Sequence, residues 1–391
     1  MSALMQTQAG AAGAFAAFDL TRVPSPCFVV DEVAVERNLA ILKDVADQSG
    51  AHVLLALKAF SMFSLAPLIR RYLPGCCASG LLEAQLARRE FGGEVATYCA
   101  AFKPSEIDQV IALSDHVIFN SPAQKDRFLP NVKATSRPVQ VGLRINPEFS
   151  QALVAKYDPC APFSRLGTPI SHLTPAVLSG VDGLHFHTLC EQGFAPLERT
   201  WAAIEDQIAP YLNGLKWLNF GGGHHITRAD YDRAGLVAFI KNLRARTGLQ
   251  IYLEPGEAVA LDAGILVGEV LDLPRNGMDL AITDISATCH MPDVIEAPYR
   301  PAMMGEGDVG TLYRFGGASC LAGDVIGDYR VAPDLKIGQR IAFLDQAHYS
   351  MVKTNTFNGV ALPAIALWNS QTDALKMIRE FSYDDFASRL S

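Results

Sequence analysis

The fold is decided by the stretch His52-Val-Leu-Leu-Ala-Leu-Lys58-Ala-Phe60. Its unbroken run of apolar residues is typical of a strand that is buried on both faces, as in a parallel sheet. Lys58 stands out at the end of this run, because a buried ammonium is costly unless it is paired or used chemically. Desolvation lowers the pKa of a lysine and makes its amine a nucleophile, so this position suits a Schiff-base lysine. A solvated lysine that simply marks the end of the strand is the alternative.

Seven further apolar runs follow along the chain, and amphipathic segments separate them. The predicted strands are Val53–Lys58, Cys76–Ser79, Val95–Ala100, His116–Asn120, Val139–Asn146, Gly183–Leu189, Trp217–Phe220 and Ile251–Glu254. An amphipathic helix is predicted ahead of them, over Asp31–Gly50. Eight strands that alternate with helices predict an α/β fold of the (β/α)8 TIM-barrel type.

The pattern changes after about residue 264, where short alternating runs are broken by Gly and Pro. Asp279-Leu-Ala-Ile-Thr-Asp284 and Arg340-Ile-Ala-Phe-Leu-Asp345 are two such runs. They indicate a β-rich second domain. We therefore expect an N-terminal arm and first strand at 1–30 that pack on the β domain, a barrel at 31–263 and a C-terminal β domain at 264–391.

Composition excludes several classes of protein. The chain has 391 residues, and 49% of them are hydrophobic and 19% charged, as in an ordinary two-domain enzyme. The net charge of −8 argues against nucleic acid and anionic membranes and favours cationic ligands. The eight cysteines form no close-spaced framework and no CxxC pair, which indicates reduced thiols in a cytoplasmic protein and no metal site. We find no apolar stretch of membrane-spanning length.

Polar residues collect where the predicted strands end, which is where barrel enzymes place their chemistry. Besides Lys58, these residues are the histidines of His185-Phe-His187, the loop Gly221-Gly-Gly223 and the carboxylate of Glu254. Each has an ordinary explanation on its own: a packed core histidine, a plain turn or a solvated carboxylate. Together they supply an amine, an imidazole, an anion-binding loop and a carboxylate, a set that suits pyridoxal 5'-phosphate.

Longer motifs resemble a known family. They are Ala56-Leu-Lys-Ala59, Ala78-Ser-Gly-Leu-Leu-Glu83, Leu184-His-Phe-His187, Phe220-Gly-Gly-Gly223, Glu254-Pro-Gly256, Asp284-Ile-Ser-Ala-Thr-Cys-His-Met-Pro-Asp293, Gly317-Ala-Ser-Cys-Leu-Ala-Gly-Asp324, and Tyr349 with Thr356-Phe-Asn-Gly359. From about Pro26 to Gly359 the chain resembles the fold-type III pyridoxal-phosphate decarboxylases, which include ornithine and diaminopimelate decarboxylases and share an alanine-racemase-like architecture. The segments around Cys289-His290 and Cys320-Leu321 are most similar to the carboxynorspermidine/carboxyspermidine decarboxylases.

The resemblance implies roles for individual residues. Lys58 would form the Schiff base with pyridoxal 5'-phosphate, and Cys320 would reach the active site of the other subunit as the proton donor. His187 would stack on the cofactor ring, Glu254 would pair with the pyridine nitrogen, and Arg144 would support the cofactor or its histidine. The phosphate would be bound by Gly221, Gly222, Gly223 and Tyr349. The resemblance also implies a homodimer whose active sites are shared across the interface.

Three positions depart from the family pattern. Cys190 replaces a phosphate-binding serine, Glu257 replaces an arginine that many relatives carry, and Leu321 replaces an acidic residue that contacts the distal group of amino-acid substrates. Recognition of the distal group must therefore lie elsewhere, and the candidate carboxylates are Asp293, Glu296 and Asp324. The implied substrate is a cationic carboxylated polyamine, which a PLP-dependent carboxy-lyase would convert to norspermidine or spermidine.

Three other interpretations fit the residues less well. A racemase of this fold places an arginine at the pyridine nitrogen, where this chain has Glu254. A diaminopimelate or other basic amino-acid decarboxylase is the nearest alternative, but Glu296 and Leu321 supply no cation for the distal carboxylate of diaminopimelate. A non-catalytic PLP-binding pseudo-enzyme should have lost Lys58 or Cys320, and both are present.

Overall fold

The computed structural model describes residues 5–6, 12–152 and 155–391. The described residues divide into two compact units, which we call the barrel unit, Glu36–Val259, and the β unit, which takes the residues up to Val35 together with Ala260–Ser391. Residues 1–4 and 7–11 of the predicted N-terminal arm lie outside the described residues. Within the described ranges, no helix is both long enough and apolar enough to cross a membrane.

A parallel sheet that closes on itself forms the centre of the barrel unit. The first strand is interrupted at Leu54, so that His52–Val53 pairs with Gln250–Leu253 while Leu55–Ala56 pairs with Gly75–Ala78. This divided pairing joins the last strand to the first and closes eight strands into a barrel, so the predicted fold is confirmed. The strands are His52–Val53 with Leu55–Ala56, Gly75–Ala78, Glu94–Tyr98, His116–Phe119, Gln140–Asn146, Gly183–His185, Trp217–Asn219 and Gln250–Leu253, and Thr168–Pro169 pairs beside Gln140–Asn146.

Two of the longer helices begin at residues suited to a helix start. The Ser121 side chain accepts a hydrogen bond from the Gln124 amide, with Pro122 next in the chain, and the Asp232 side chain accepts from the Gly235 amide. The α-helices are Glu32–Ser49, Ala66–Ile69, Leu81–Leu86, Ile107–Leu113, Pro122–Ala134, Phe194–Leu212, Arg233–Thr247, Glu257–Ala260, Ala287–His290, Asp293–Glu296, Ser350–Lys353 and Tyr383–Ala387. The first of them matches the predicted helix to within one residue at each end.

Aromatic packing fills the amino-terminal end of the barrel. The ring of His116 stacks on that of Trp217, with centroids 5.0 Å apart and planes 5° apart. A Cβ on Gly183 would lie 2.0 Å from Trp217 Cδ2, and one on Gly142 would lie 2.7 Å from Trp217 Cη2. Glycine occupies both positions because the indole fills the space that a side chain would need. The carboxyl ends of the strands are left for polar groups.

Seven of the eight predicted strands end earlier than expected, four of them by one residue and three by more. The first strand ends at Ala56, so Lys58 lies in the following turn, and the strand predicted to reach Leu189 ends at His185. These two predicted ends are wrong because the turns are as buried as the strands: Leu57 and Phe186 are each only 1% exposed. Apolar residues therefore continue past the last residue of the strand, so the end of an apolar run does not show where the strand ends.

The β unit contains a nine-stranded sheet, so the predicted β-rich domain is confirmed. Its strands are Cys27–Asp31, Gly264–Asp272, Arg275–Asn276, Met278–Thr283, Glu306–Gly316, Val325–Val331, Arg340–Leu344, Ala364–Asn369 and Ala374–Arg379. Cys27–Asp31 lies inside the sheet, antiparallel to Gly264–Asp272 and parallel to Ala364–Asn369. A separate two-stranded pair joins Met5–Gln6 to Tyr299–Arg300.

Both faces of this sheet are covered. Along the strand Cys27–Asp31, Phe28 belongs to one apolar cluster while Cys27 and Val29 belong to the other, and all three are buried. On the second face, Phe15 and Phe18 pack on Trp368, with ring centroids 5.2 and 5.0 Å away. Burial on both sides explains the continuous run Cys27-Phe-Val-Val30, in which each large side chain stabilises the fold by about 1.5–3 kcal/mol.

Candidate active site

Lys58 lies in the turn after the first barrel strand, in a place enclosed by protein but reachable by solvent. Lys58 is exposed, while Arg144 and Glu254, whose charges act on its amine, are buried. Desolvation lowers the pKa of Lys58 below the ordinary 10.5, and the positive charge of Arg144 lowers it further, against the opposing effect of Glu254. A larger neutral fraction makes this amine a better nucleophile.

Glu254 follows the last barrel strand and is held at both oxygens. Oε1 accepts a hydrogen bond from Asn219 Nδ2 at 2.7 Å, and Oε2 lies 3.3 Å from His185 Nε2. Burial alone would raise the pKa of Glu254, but His185, Asn219 and Lys58 together lower it below 4.5. The barrel unit therefore holds an ionised, buried carboxylate that can pair with a cationic N–H group.

His185, which contacts Glu254, belongs to a stack of planar side chains. The ring of His185 lies 5.6 Å from that of Tyr98, nearly parallel to it, and Arg144 Cζ lies 4.7 Å from the centre of the Tyr98 ring. Tyr98 is fixed in turn by the hydrogen bond from its hydroxyl to Asn120 Oδ1 at 2.7 Å. Burial lowers the pKa of His185 below 6.5, more than Glu254 raises it, so the imidazole is neutral at pH 7.

The glycine loop is held against His187. The Gly222 amide donates to His187 Nδ1 at 2.7 Å, and Arg144 Nη2 donates to the His187 carbonyl at 3.2 Å. Burial, together with the charges of Lys58 and Arg144, holds the pKa of His187 well below 6.5. A neutral imidazole that accepts at Nδ1 carries its proton on Nε2, so both the orientation and the tautomer of this ring are fixed.

Close backbone contacts explain why the loop consists of glycine residues. Gly223 has φ +80°, and a Cβ there would lie 2.0 Å from the Leu189 carbonyl oxygen. The Gly221 amide already donates to Asn219 Oδ1, and the Gly222 amide to His187. Gly221 and Gly222 therefore shape the loop with their amides, and a phosphate would rely on the Gly223 amide.

The donor set of the barrel unit fits pyridoxal 5'-phosphate. Such a cofactor requires a nucleophilic amine for its carbonyl, an anion for its ring nitrogen and a loop for its phosphate. Lys58, Glu254 and the glycine loop supply these groups, and the neutral ring of His187 adds a flat surface. Among the residues with described positions, no group of His, Cys, Asp and Glu is placed to hold a metal ion.

In the β unit, Cys320 lies in an exposed turn that Asp324 organises. The Asp324 carboxylate accepts hydrogen bonds from Ser286 Oγ at 2.8 Å, Ser319 Oγ at 2.5 Å and the Thr288 amide at 3.2 Å. The Cys320 amide donates to Asn358 Oδ1 at 2.9 Å. The Asp324 carboxylate is buried and engaged by these three hydrogen bonds, whereas the Cys320 side chain is exposed.

The other two predicted substrate carboxylates lie together around a lysine. Lys353 Nζ is 2.5 Å from Asp293 Oδ1 and 3.3 Å from Glu296 Oε2, and it lies 5.9 Å from the centre of the Tyr349 ring. Partial burial works against the charge of Lys353, but Asp293 and then Glu296 raise its pKa above 10.5. The carboxylates thus already hold one ammonium group from the same chain.

Sequence reasoning missed three residues of these networks: Asn219, Tyr98 and Lys353. Asn219 carried one usable signal, because it is a polar residue two positions before the glycine loop at the end of an apolar strand. Tyr98 and Lys353 carried none, since an aromatic residue in a strand and a lysine in a short helix are ordinary. Their contacts join residues far apart in the chain.

Known proteins match this chain in sequence and in fold. The family described as "Pyridoxal-dependent decarboxylase, C-terminal sheet domain" matches residues 27–347. A carboxynorspermidine/carboxyspermidine decarboxylase of Campylobacter jejuni is 40% identical, over 94% of this chain and 99% of that protein. A carboxyaminopropylagmatine decarboxylase of Synechocystis is 42% identical, over 95% and 96%. The crystal structure of a Campylobacter jejuni carboxynorspermidine decarboxylase complexed with norspermidine superposes with a TM-score of 0.87 at 39% identity, covering 94% of this chain and all of that one.

One assignment follows from three findings: the family matches most of the chain, two relatives are at least 40% identical, and a solved structure superposes on both the barrel and the sheet. The chain belongs to the pyridoxal-dependent decarboxylase family.

Proposed function

We propose that this chain decarboxylates a carboxylated polyamine, carboxynorspermidine or carboxyspermidine, to norspermidine or spermidine. The observation that carries the proposal is the pairing, in one barrel, of an amine whose pKa is lowered with a buried carboxylate that stays ionised. The likeness to relatives named for these two substrates supports the choice of substrate class. The net charge of −8 suits a cationic substrate.

Pyridoxal 5'-phosphate is the proposed cofactor, and when bound it supplies an electron sink for the loss of CO2. In this proposal Lys58 binds the cofactor and Glu254 holds a proton at its pyridine nitrogen. His187 offers its flat face to the ring, and Arg144 fixes the His187 backbone. The phosphate is bound at the glycine loop, with the Gly223 amide as donor and Tyr349 added from the family resemblance.

Cys320 is the proposed proton donor. Its place in an exposed turn, held through Asn358 and the Asp324 network, leaves the thiol accessible. The family resemblance supports a homodimer in which Cys320 of one chain completes the site of the other. The eight free thiols of the chain support a reducing, cytoplasmic location.

Asp293 and Glu296 are the proposed partners of the substrate's cationic tail. Both carboxylates contact the Lys353 ammonium, and the Glu296 side chain stays 54% exposed, so it can accept a further ammonium from a substrate tail. Asp324 is different, because it is buried and its carboxylate accepts three hydrogen bonds, from Ser286, Thr288 and Ser319. We therefore assign Asp324 to the positioning of the Cys320 turn and not to substrate binding.

The relative from Synechocystis favours a second candidate substrate, carboxyaminopropylagmatine. Its guanidinium end is also cationic and pairs well with carboxylates. The deciding experiment measures kcat/KM for carboxynorspermidine, carboxyspermidine and carboxyaminopropylagmatine beside ornithine and diaminopimelate. The proposal expects the highest value for one of the first two. A highest value for carboxyaminopropylagmatine would select the second candidate, and one for ornithine or diaminopimelate would refute both.

A further inference from the structure

One buried side chain joins the two ends of the candidate cofactor site. Asn219 ends the barrel strand Trp217–Asn219 and is 0% exposed. Its Oδ1 accepts a hydrogen bond from the Gly221 amide at 2.8 Å, and its Nδ2 donates to Glu254 Oε1 at 2.7 Å. The same amide group thus touches the glycine loop and the carboxylate.

The chemistry of these partners fixes the orientation of the Asn219 amide. A backbone N–H can only donate, and an ionised carboxylate can only accept. Turning the amide over would place its NH2 against the Gly221 N–H and its oxygen against Glu254, so both hydrogen bonds would be lost. A side chain at this position must therefore offer an acceptor and a donor at once, which asparagine does.

The backbones of the two partners are joined directly, because the Glu254 amide donates to the Gly221 carbonyl at 2.8 Å. Asn219 adds the contacts that orient the Glu254 carboxylate and the Gly221 amide. Besides Asn219, Glu254 has His185, whose Nε2 lies 3.3 Å away, a longer and weaker contact. Gly221 has φ +66°, and a Cβ there would lie 2.6 Å from His187 Cβ, so the loop passes closely over His187. A shift of Gly221 would therefore move the ring of His187 as well.

We propose that Asn219 is a positioning residue that couples the glycine loop to Glu254 and so sets the spacing between the phosphate and ring-nitrogen contacts of the cofactor. The inference rests on the proposed function, because it takes the glycine loop and Glu254 as the two ends of the cofactor site. Two variants separate the two hydrogen bonds. Asn219→Asp keeps the acceptor for Gly221 but sets a second carboxylate against Glu254. Asn219→Ala removes both bonds.

The first test is a double-mutant cycle on cofactor affinity. Two adjacent carboxylates cannot both stay ionised without penalty, so Asn219→Asp should raise the Kd of pyridoxal 5'-phosphate about 10- to 100-fold. In a Glu254→Gln background the NH2 of the substituted glutamine can donate to the new carboxylate, so the hydrogen bond returns with its direction reversed. There, Asn219→Asp should change the Kd by less than about threefold.

The second test compares pyridoxal 5'-phosphate with pyridoxal, which lacks the phosphate. The ratio of their affinities should stay unchanged in Asn219→Asp, which keeps the loop bond, and fall about tenfold in Asn219→Ala, which loses it. Asn38→Asp is the matched control, because Asn38 is a buried amide of the same unit whose Nδ2 donates to the Val259 carbonyl at 3.2 Å. It should lower the melting temperature without changing the ratio.

These outcomes distinguish the inference from the proposed function. Equal losses from Asn219→Asp in both backgrounds, or an affinity ratio that Asn219→Ala leaves unchanged, would overturn the coupling role while the enzyme still binds its cofactor. Failure of the wild-type chain to bind pyridoxal 5'-phosphate would overturn the proposed function and the inference together. Melting temperatures of all variants show which of them fold.

Discussion

Replacing Glu254 with glutamine should slow turnover while the protein keeps its fold. Glutamine has nearly the same shape, and its carbonyl oxygen can still accept the hydrogen bond from Asn219 Nδ2 at 2.7 Å. What is lost is the negative charge that the proposal places at the pyridine nitrogen. A hydrogen bond to a charged group contributes about 1.5–3 kcal/mol. Since each 1.4 kcal/mol or so is a factor of ten in rate, kcat should fall roughly 10- to 150-fold.

The assay measures kcat with substrate and pyridoxal 5'-phosphate both saturating. Because the pKa of Glu254 lies below 4.5, the carboxylate is ionised throughout the neutral range. The ratio of wild-type to variant kcat should therefore be constant between about pH 6 and pH 8. Glu205→Gln is the control, since Glu205 forms a surface ion pair with Arg246, and it should change kcat less than about twofold. A Glu254→Gln kcat within about threefold of wild type would refute the pyridine contact.

Four further variants test other parts of the structure. Lys58→Ala should abolish turnover and the visible absorption of the lysine-bound cofactor, and survival of either would contradict its assignment. Cys320→Ala should bind the cofactor but turn over slowly. Mixing it with Lys58→Ala should restore part of the activity after confirmed subunit exchange, and no recovery would exclude shared sites. Glu296→Ala should raise KM roughly 10- to 100-fold with a smaller change in kcat, so an unchanged KM would remove it from the tail site. Gly183→Ala places a Cβ 2.0 Å from Trp217 Cδ2, and urea unfolding should show a loss of about 3 kcal/mol; a loss below about 1 kcal/mol would contradict the packing argument.

Periodicity and composition were enough to predict the barrel. Each of its eight strands is a short apolar run that follows an amphipathic or turn-rich segment, and all eight runs form strands. The ends of the strands were harder to predict, because the turn at Leu57 is as buried as the strand before it. The divided pairing around Leu54 could not be predicted, because the two halves of that strand form one continuous apolar run in the sequence.

The positions of the barrel-site candidates could be predicted because they lie just after strand ends, where a parallel barrel brings side chains together. Lys58, His187 and Glu254 come from distant parts of the chain, yet PLP chemistry and family motifs together single them out. The network behind them could not be predicted. Asn219 acts through two hydrogen bonds whose partners follow only from the folded geometry, and Lys353 pairs with Asp293, 60 positions away in the chain.

The position of the strand Cys27–Asp31 has a consequence for the biosynthesis of the protein. This strand takes a central place in the nine-stranded sheet, but its partners Gly264–Asp272 and Ala364–Asn369 are synthesised only after the entire barrel. Until then, a strand made largely of Phe28-Val-Val30 has two open edges, the state most prone to pair with another chain. Such distant pairing also makes the sheet slow to form. During synthesis this strand therefore stays unpaired until Gly264–Asp272 and Ala364–Asn369 have been made, and chaperones that bind unfolded chains should bind it during that interval.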